Sequence, residues 1–172
     1  MRVSVRQVLV TFAAMILTVT ALLVGQRLYQ ATAVNSPLLT SLGAIPGVRR
    51  ARVTGSTVTI ALDPHANLMQ VYEEVSAAAT HLLGDPPARI VVVNHPDPTL
   101  TNLANNVAFV VAQGEATGQF VAMKNTIQSM ATHDQVSAVV ELGTRHLYLT
   151  FRHQGHVLYD VFPLTIGGVN RA

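Results

Sequence analysis

The chain has 172 residues, a formal net charge of +2 and no cysteine; 49% of its residues are hydrophobic and only 12% are charged. Lack of cysteine excludes disulfides, thiolate metal sites and a cysteine nucleophile, so the fold has to be held by its core. Ten of the eleven basic residues are arginine. The excess is too small and too scattered for a nucleic-acid partner.

Val8 to Gly25 is a run of 18 residues without a charged side chain. At 1.5 Å per residue a helix over it covers about 27 Å, close to the hydrocarbon thickness of a bilayer, and satisfies its own backbone there. Thr11, Thr18 and Thr20 can bond back to helix carbonyls, so they do not argue against insertion. Arg2, Arg6 and the α-amino group precede the run, and Arg27 with Tyr29 follow as an interfacial pair. That asymmetry predicts a single-pass protein of the cytoplasmic membrane, N-terminus inside and domain outside. The expected layout is a cytoplasmic tail at 1–7, an anchor at 8–28 and a stalk at 29–46. The rival is export and cleavage after Ala33, where Ala31-Thr32-Ala33 offers a small-x-small site.

From Val48 the pattern becomes period two. Ala51 and Val53 alternate with Arg50 and Arg52, Gly55-Ser56 turns, and Val58, Ile60 and Leu62 alternate with Thr57, Thr59 and Ala61, which predicts a hairpin. Leu68, Val71, Tyr72, Val75, Ala79 and Leu82 recur at helical spacing until Gly84, with Asp63 before Pro64, or Asn67, as the N-cap. Ile90-Val91-Val92-Val93 is a continuous β-branched run of the kind buried on both faces. His95-Pro96-Asp97-Pro98 is the sharpest boundary, because two prolines in three residues exclude helix and central strand.

Beyond it Leu103, Val107, Val110, Val111 and Gly114, then Phe120, Met123, Ile127 and Met130, keep helical spacing on either side of Gly118, as two helices or one bent helix. Strands are expected over 136–142, 146–151 and 156–164, with a disordered tail at 165–172. The fold class is therefore α+β: a transmembrane helix and an exported domain of two small antiparallel sheet-plus-helix units, ββαβ over 47–96 and ααβββ over 97–164.

The string Ile45-Pro46-Gly47-Val48, with Val53, Gly55-Ser56, Val58-Thr59-Ile60 and the helix from Asn67-Leu68 to Val71-Tyr72, resembles BON-type and ring-building α+β modules of exported bacterial assemblies. The second half, with Gly118-Gln119-Phe120, Met123, Tyr148 and Tyr159, is similar to uncharacterised single-pass membrane proteins of bacteria. The resemblance implies a bacterial protein whose domain packs against other proteins, and it assigns no functional residue.

Seven histidines raise the question of a metal. A turn at Gln154-Gly155 brings His153 and His156 together, and Asp160 or His146 is the third donor that zinc or copper would need. Polar rings also belong at an exposed hairpin end, and His65, His81, His95 and His133 stand near element ends, so no metal or other cofactor is expected. No serine lies in a glycine-flanked elbow, and Glu73-Glu74 diverge around a helix. Gly114 and Gly118 are followed by no Lys-Ser or Lys-Thr of a phosphate loop. An enzyme is not expected. Arg49, Arg50 and Arg52 form the one dense basic group, either a solvated strand face or a contact for lipid headgroups or an acidic partner. The chain is expected to be a non-enzymatic, membrane-anchored interaction or assembly domain, with the bilayer and a protein partner or itself as its contacts. The alternative is a released soluble domain that binds a small ligand or metal.

Overall fold

The computed structural model describes residues 35–164. The expected anchor at 8–28, with Arg2, Arg6, Arg27 and Tyr29, and the expected tail at 165–172 lie outside these residues. No helix among the described residues is long and apolar enough to cross a membrane.

Where a stalk was expected through residue 46, the chain is helical from Asn35 to Gly43, α1. Leu38 and Leu42 stand one turn apart on one face, and both are fully buried. Pro37 falls in the first turn, where a helix tolerates proline. The segment is thus part of the core rather than a spacer.

β1 (Val48–Thr54) and β2 (Thr57–Leu62) form the expected hairpin, with a bulge between Val48 and Arg50. α2 (Leu68–Leu83) follows; its cap is Asn67, whose side chain accepts from the Gln70 amide, and Gly84 ends it in a left-handed conformation. Leu68, Val71, Val75 and Ala79 are its buried face. Leu82 is 38% exposed, off that face.

β3 (Arg89–Val92) corrects two expectations. It pairs parallel to β2, so the first sheet, in order β1-β2-β3, is mixed rather than antiparallel. The reason is the crossover: a helix between two strands carries the chain back to its starting end. β3 is also an edge strand, and its residues are half-buried or exposed instead of buried on both faces.

In the second half α3 (Pro98–Thr117) is capped by Asp97, which accepts from the Leu100 amide, and Gly118 separates it from α4 (Phe120–His133). There are two helices here, not one bent one. A three-stranded antiparallel meander completes the domain: β4 (Ser137–Leu142), β5 (His146–His153) and β6 (His156–Pro163).

The second sheet is buried on both sides. Val140, Leu147, Leu149, Phe151 and Leu158 pack against Leu100, Leu103, Val107 and Val111 of α3 and Met123, Ile127 and Ala131 of α4. From the opposite face Tyr148 and Tyr159 enter the core that Leu38, Leu42, Val58, Ile60, Val71 and Val75 build in the first half. Strand alternation thus makes β5 a member of two cores at once. The sheets remain separate but touch where His95, beyond β3, pairs antiparallel with Val157 of β6.

Candidate functional site

A cleft of about 590 Å³ opens where the two sheets meet. Its apolar floor comes from Leu62, Val93, Val157 and Tyr159, and its polar wall from Arg49, His65, His95, Arg152, His153 and His156; no Asp or Glu lines it.

Each polar group arrives for a local reason. The β1 bulge sets Arg49 out of register with β2, whereas Arg50 and Arg52 stay opposite Ala61 and Thr59 on one exposed face. The dense arginine group is therefore divided: one member faces the cleft and two face solvent. His65 lies within the turn closed by the Ala66 amide on the Asp63 carbonyl. His95 is fixed by two backbone bonds with Val157, of 3.0 and 3.2 Å. Arg152 sits directly opposite Val157, and its Nε donates to the Pro64 carbonyl at 3.2 Å, spanning the two halves.

His153 and His156 face each other across the hairpin, as expected. The turn is a two-residue one: Gln154 has φ 46° and Gly155 φ 84°, the primed geometry that matches strand twist. The rings do not present a free ligand pair. His153 Nδ1 lies 2.6 Å from Asp97 Oδ2, and His156 Nδ1 lies 3.2 Å from the His95 carbonyl. The Leu100 amide, and after it the His153 imidazole, hold the Asp97 carboxyl below its usual range. Asp97 thereby caps α3 and pins the hairpin at once.

His146 stands at the other end of β5. There it joins Tyr72 and Tyr148, with ring centroids 5.4 and 5.9 Å away. The Tyr148 hydroxyl donates to Glu73 Oε1 at 2.5 Å. Burial, then the Glu73 carboxylate, pushes the Tyr148 hydroxyl far up, which keeps it protonated and a donor. Asn67 Nδ2 donates to Glu141 Oε1 at 2.7 Å beside it. This cluster locks α2 to the second sheet. Among the described residues no group of three His, Cys, Asp or Glu side chains is placed to hold a metal. His146 is remote from the His153–His156 pair, and Asp160 sits four positions up β6, its own Oδ1 accepting from the Val161 amide at 3.0 Å.

His65, His95, Arg152 and Tyr159 are the cleft residues that spacing did not single out as a site. For His65 and His95 the signal was position at element ends, shared by His81 and His133, which line no part of the cleft; Arg152, past the strand expected over 146–151, and Tyr159, inside β6, carried no site signal.

The outer side of the helical layer is the other notable surface. The buried stripe of α3 runs through Leu100, Leu103, Val107, Val111 and Gly114. Phe109 falls opposite that stripe and is 78% exposed; Val121, at the start of α4, is 77% exposed. Glu115 and Lys124 are the only acidic and basic side chains, histidine aside, between residues 98 and 133.

Comparison with family models, with curated proteins and with solved structures finds no match for this chain.

Proposed function

We propose that the chain is a non-enzymatic, single-pass protein of the cytoplasmic membrane whose exported α+β domain associates with a second copy of itself through the outer side of α3 and α4. The observation that carries this reading is Phe109, 78% exposed at the centre of a surface nearly devoid of charge. Transferring such a side chain from water into an interface contributes about 1.5–3 kcal/mol. A surface with one acid and one base over residues 98–133 offers little charge pattern for a different partner to read. It also meets its own copy without like-charge repulsion. Tethering at 8–28 would confine copies to a plane and raise their effective concentration. The resemblance of 48–94 to assembly modules points the same way.

The test is photo-crosslinking of the full chain in cells. With p-benzoylphenylalanine in place of Phe109, a product of twice the chain's mass is expected; the same probe at exposed Ser56 should give none. A Phe109 probe that yields no such product overturns self-association through this surface.

The basic cleft favours a second reading, a soluble domain released after Ala33 that binds a small ligand. The N-terminus of the mature protein separates the two: Met1 or Arg2 retained in the membrane fraction excludes release.

A further inference from the structure

The cleft between the sheets gathers side chains from separate parts of the chain. Arg49 belongs to the basic group of β1, His153 and His156 to the hairpin, His65 and His95 to proline-flanked turns, and Arg152 to β5. The fold points all six into one concavity of about 590 Å³ that no carboxylate lines. His153 is paired with Asp97, but the two guanidinium groups, offset by no Asp or Glu in the lining and set above an apolar floor, form a site for an anion with several acceptor oxygens. We infer that this cleft binds a phosphate group.

Three features favour phosphate. Two guanidinium groups flank the cleft, and the planar fork of arginine matches the oxygens of a phosphate in a bidentate way. Arg152 is held by its Nε on the Pro64 carbonyl, which leaves its terminal nitrogens free of that bond and fixes their approach. Asp97, which touches the lining residue His153, is already engaged by the Leu100 amide at 2.7 Å and by His153 at 2.6 Å. It orients His153 without cancelling Arg49 or Arg152 across the cleft.

The floor of Leu62, Val93 and Val157 adds room for an apolar portion next to the phosphate. Tyr159 in the same wall is 5% exposed, and its hydroxyl has no hydrogen-bond partner among the described residues. The phosphate has two sources, a phospholipid headgroup or a free phosphate compound, and the same donors serve both.

The full chain, held in dodecyl maltoside micelles, which contain no phosphate, is titrated by calorimetry with inorganic phosphate and, separately, with short-chain phosphatidylglycerol. Saturable binding of either probe is expected, weakened at least tenfold by Arg49→Gln with Arg152→Gln and unchanged by Arg50→Gln on the neighbouring exposed face. Arg49→Gln alone, at an exposed position whose side chain makes no bond among the described residues, should weaken it several-fold and guards against a folding effect at Arg152. Binding of inorganic phosphate assigns a free phosphate compound; binding of the lipid probe alone assigns a headgroup. Absence of binding by both probes at 10 mM (on the order of −3 kcal/mol), or binding that the Arg49 and Arg152 variants leave unchanged, overturns the inference. Self-association through Phe109 is read by the crosslink and does not depend on this result.

Discussion

Gly114→Ala is a change of one methyl group whose effect follows from the contact between α3 and α4. A Cβ built at Gly114 would lie 2.6 Å from Met123 Sδ and 2.9 Å from Met123 Cβ and Cγ. Ordinary carbon contacts are about 3.5–4.0 Å, so the shortfall is roughly 0.6–1.1 Å. The sulfur can swing aside, but Met123 Cβ is fixed to the α4 backbone, and the helices have to part. Overpacking of this kind costs about 1–3 kcal/mol. Alanine restores about 1 kcal/mol of helix propensity at an interior position. The net expectation is destabilisation by about 0–2 kcal/mol, from a substitution that in an open helix would stabilise. Urea unfolding of the full chain in mild detergent, followed by near-ultraviolet circular dichroism in a Tyr29→Phe background that leaves only the domain tyrosines, reads this. In a Met123→Ala background the Cγ and Sδ clashes vanish, so Gly114→Ala should be less harmful there by about 1 kcal/mol. Strict additivity of the two substitutions would refute a share of Met123 Cγ and Sδ in the cost and leave it to the Cβ that alanine keeps.

Tyr148→Phe removes the donor to Glu73 at a side chain only 1% exposed. Because Glu73 is half-buried and regains some water, the loss should lie at the lower end of about 1–3 kcal/mol in the same unfolding assay; unchanged stability would deny the bond its role in joining α2 to β5. Burial pushes the Asp160 carboxyl up, so its ionisation opposes folding as pH rises through the ordinary aspartate range. Asp160→Asn keeps an acceptor for the Val161 amide and should stabilise the domain at pH 7, with the gain disappearing in acid; an equally stable wild type at pH 7 would contradict this. Asp97 has the opposite sign. Its depressed carboxyl contributes stability above the ordinary aspartate range, lost as pH falls through the lowered value. Asp97→Ala should speed hydrogen exchange at Leu100 and Thr101, whereas Asp97→Asn retains the cap and should protect Leu100; equal exchange in both variants would rule out the cap.

The elements that read true in the sequence are those with a local cause. The β1–β2 hairpin follows from alternation around Gly55-Ser56, α2 from the spacing of Leu68, Val71 and Val75, and α3 from the spacing of Leu103, Val107, Val110 and Val111. α1 was obscured because Ser36-Pro37 and Ile45-Pro46-Gly47 are strong breakers, while its only positive signal was one pair, Leu38 and Leu42, four residues apart. The parallel direction of β3 depends on where α2 returns the chain, which no property of Arg89 to Val92 encodes. The cleft is less legible still. His153 and His156 meet through a two-residue turn, which spacing shows. Arg49, His65 and His95 join them only because a bulge, a turn and an isolated bridge converge, and each of these is a tertiary outcome.

The double burial of β5 ties the proposed functions to one rigid body. Leu147, Leu149 and Phe151 hold the helical layer that carries Phe109, while Tyr148, from the other face of the same strand, enters the core that contains Leu38 and Leu42 of α1. Tyr159 belongs to that core and also lines the cleft. On the proposed anchor ending at 28, residues 29–34 span at most about 20 Å before α1 begins. Since α1 is packed into the domain rather than hanging from it, that short segment would set the height of the whole body above the bilayer. Arg49 is only six residues beyond the end of α1. Such a tether would constrain the cleft along with the domain and make a headgroup as near a source of phosphate as the surrounding solution, while the Phe109 surface lies across the second sheet from α1. A tethered array and an occupied cleft are thus compatible in one molecule, because they use opposite sides of the same sheet.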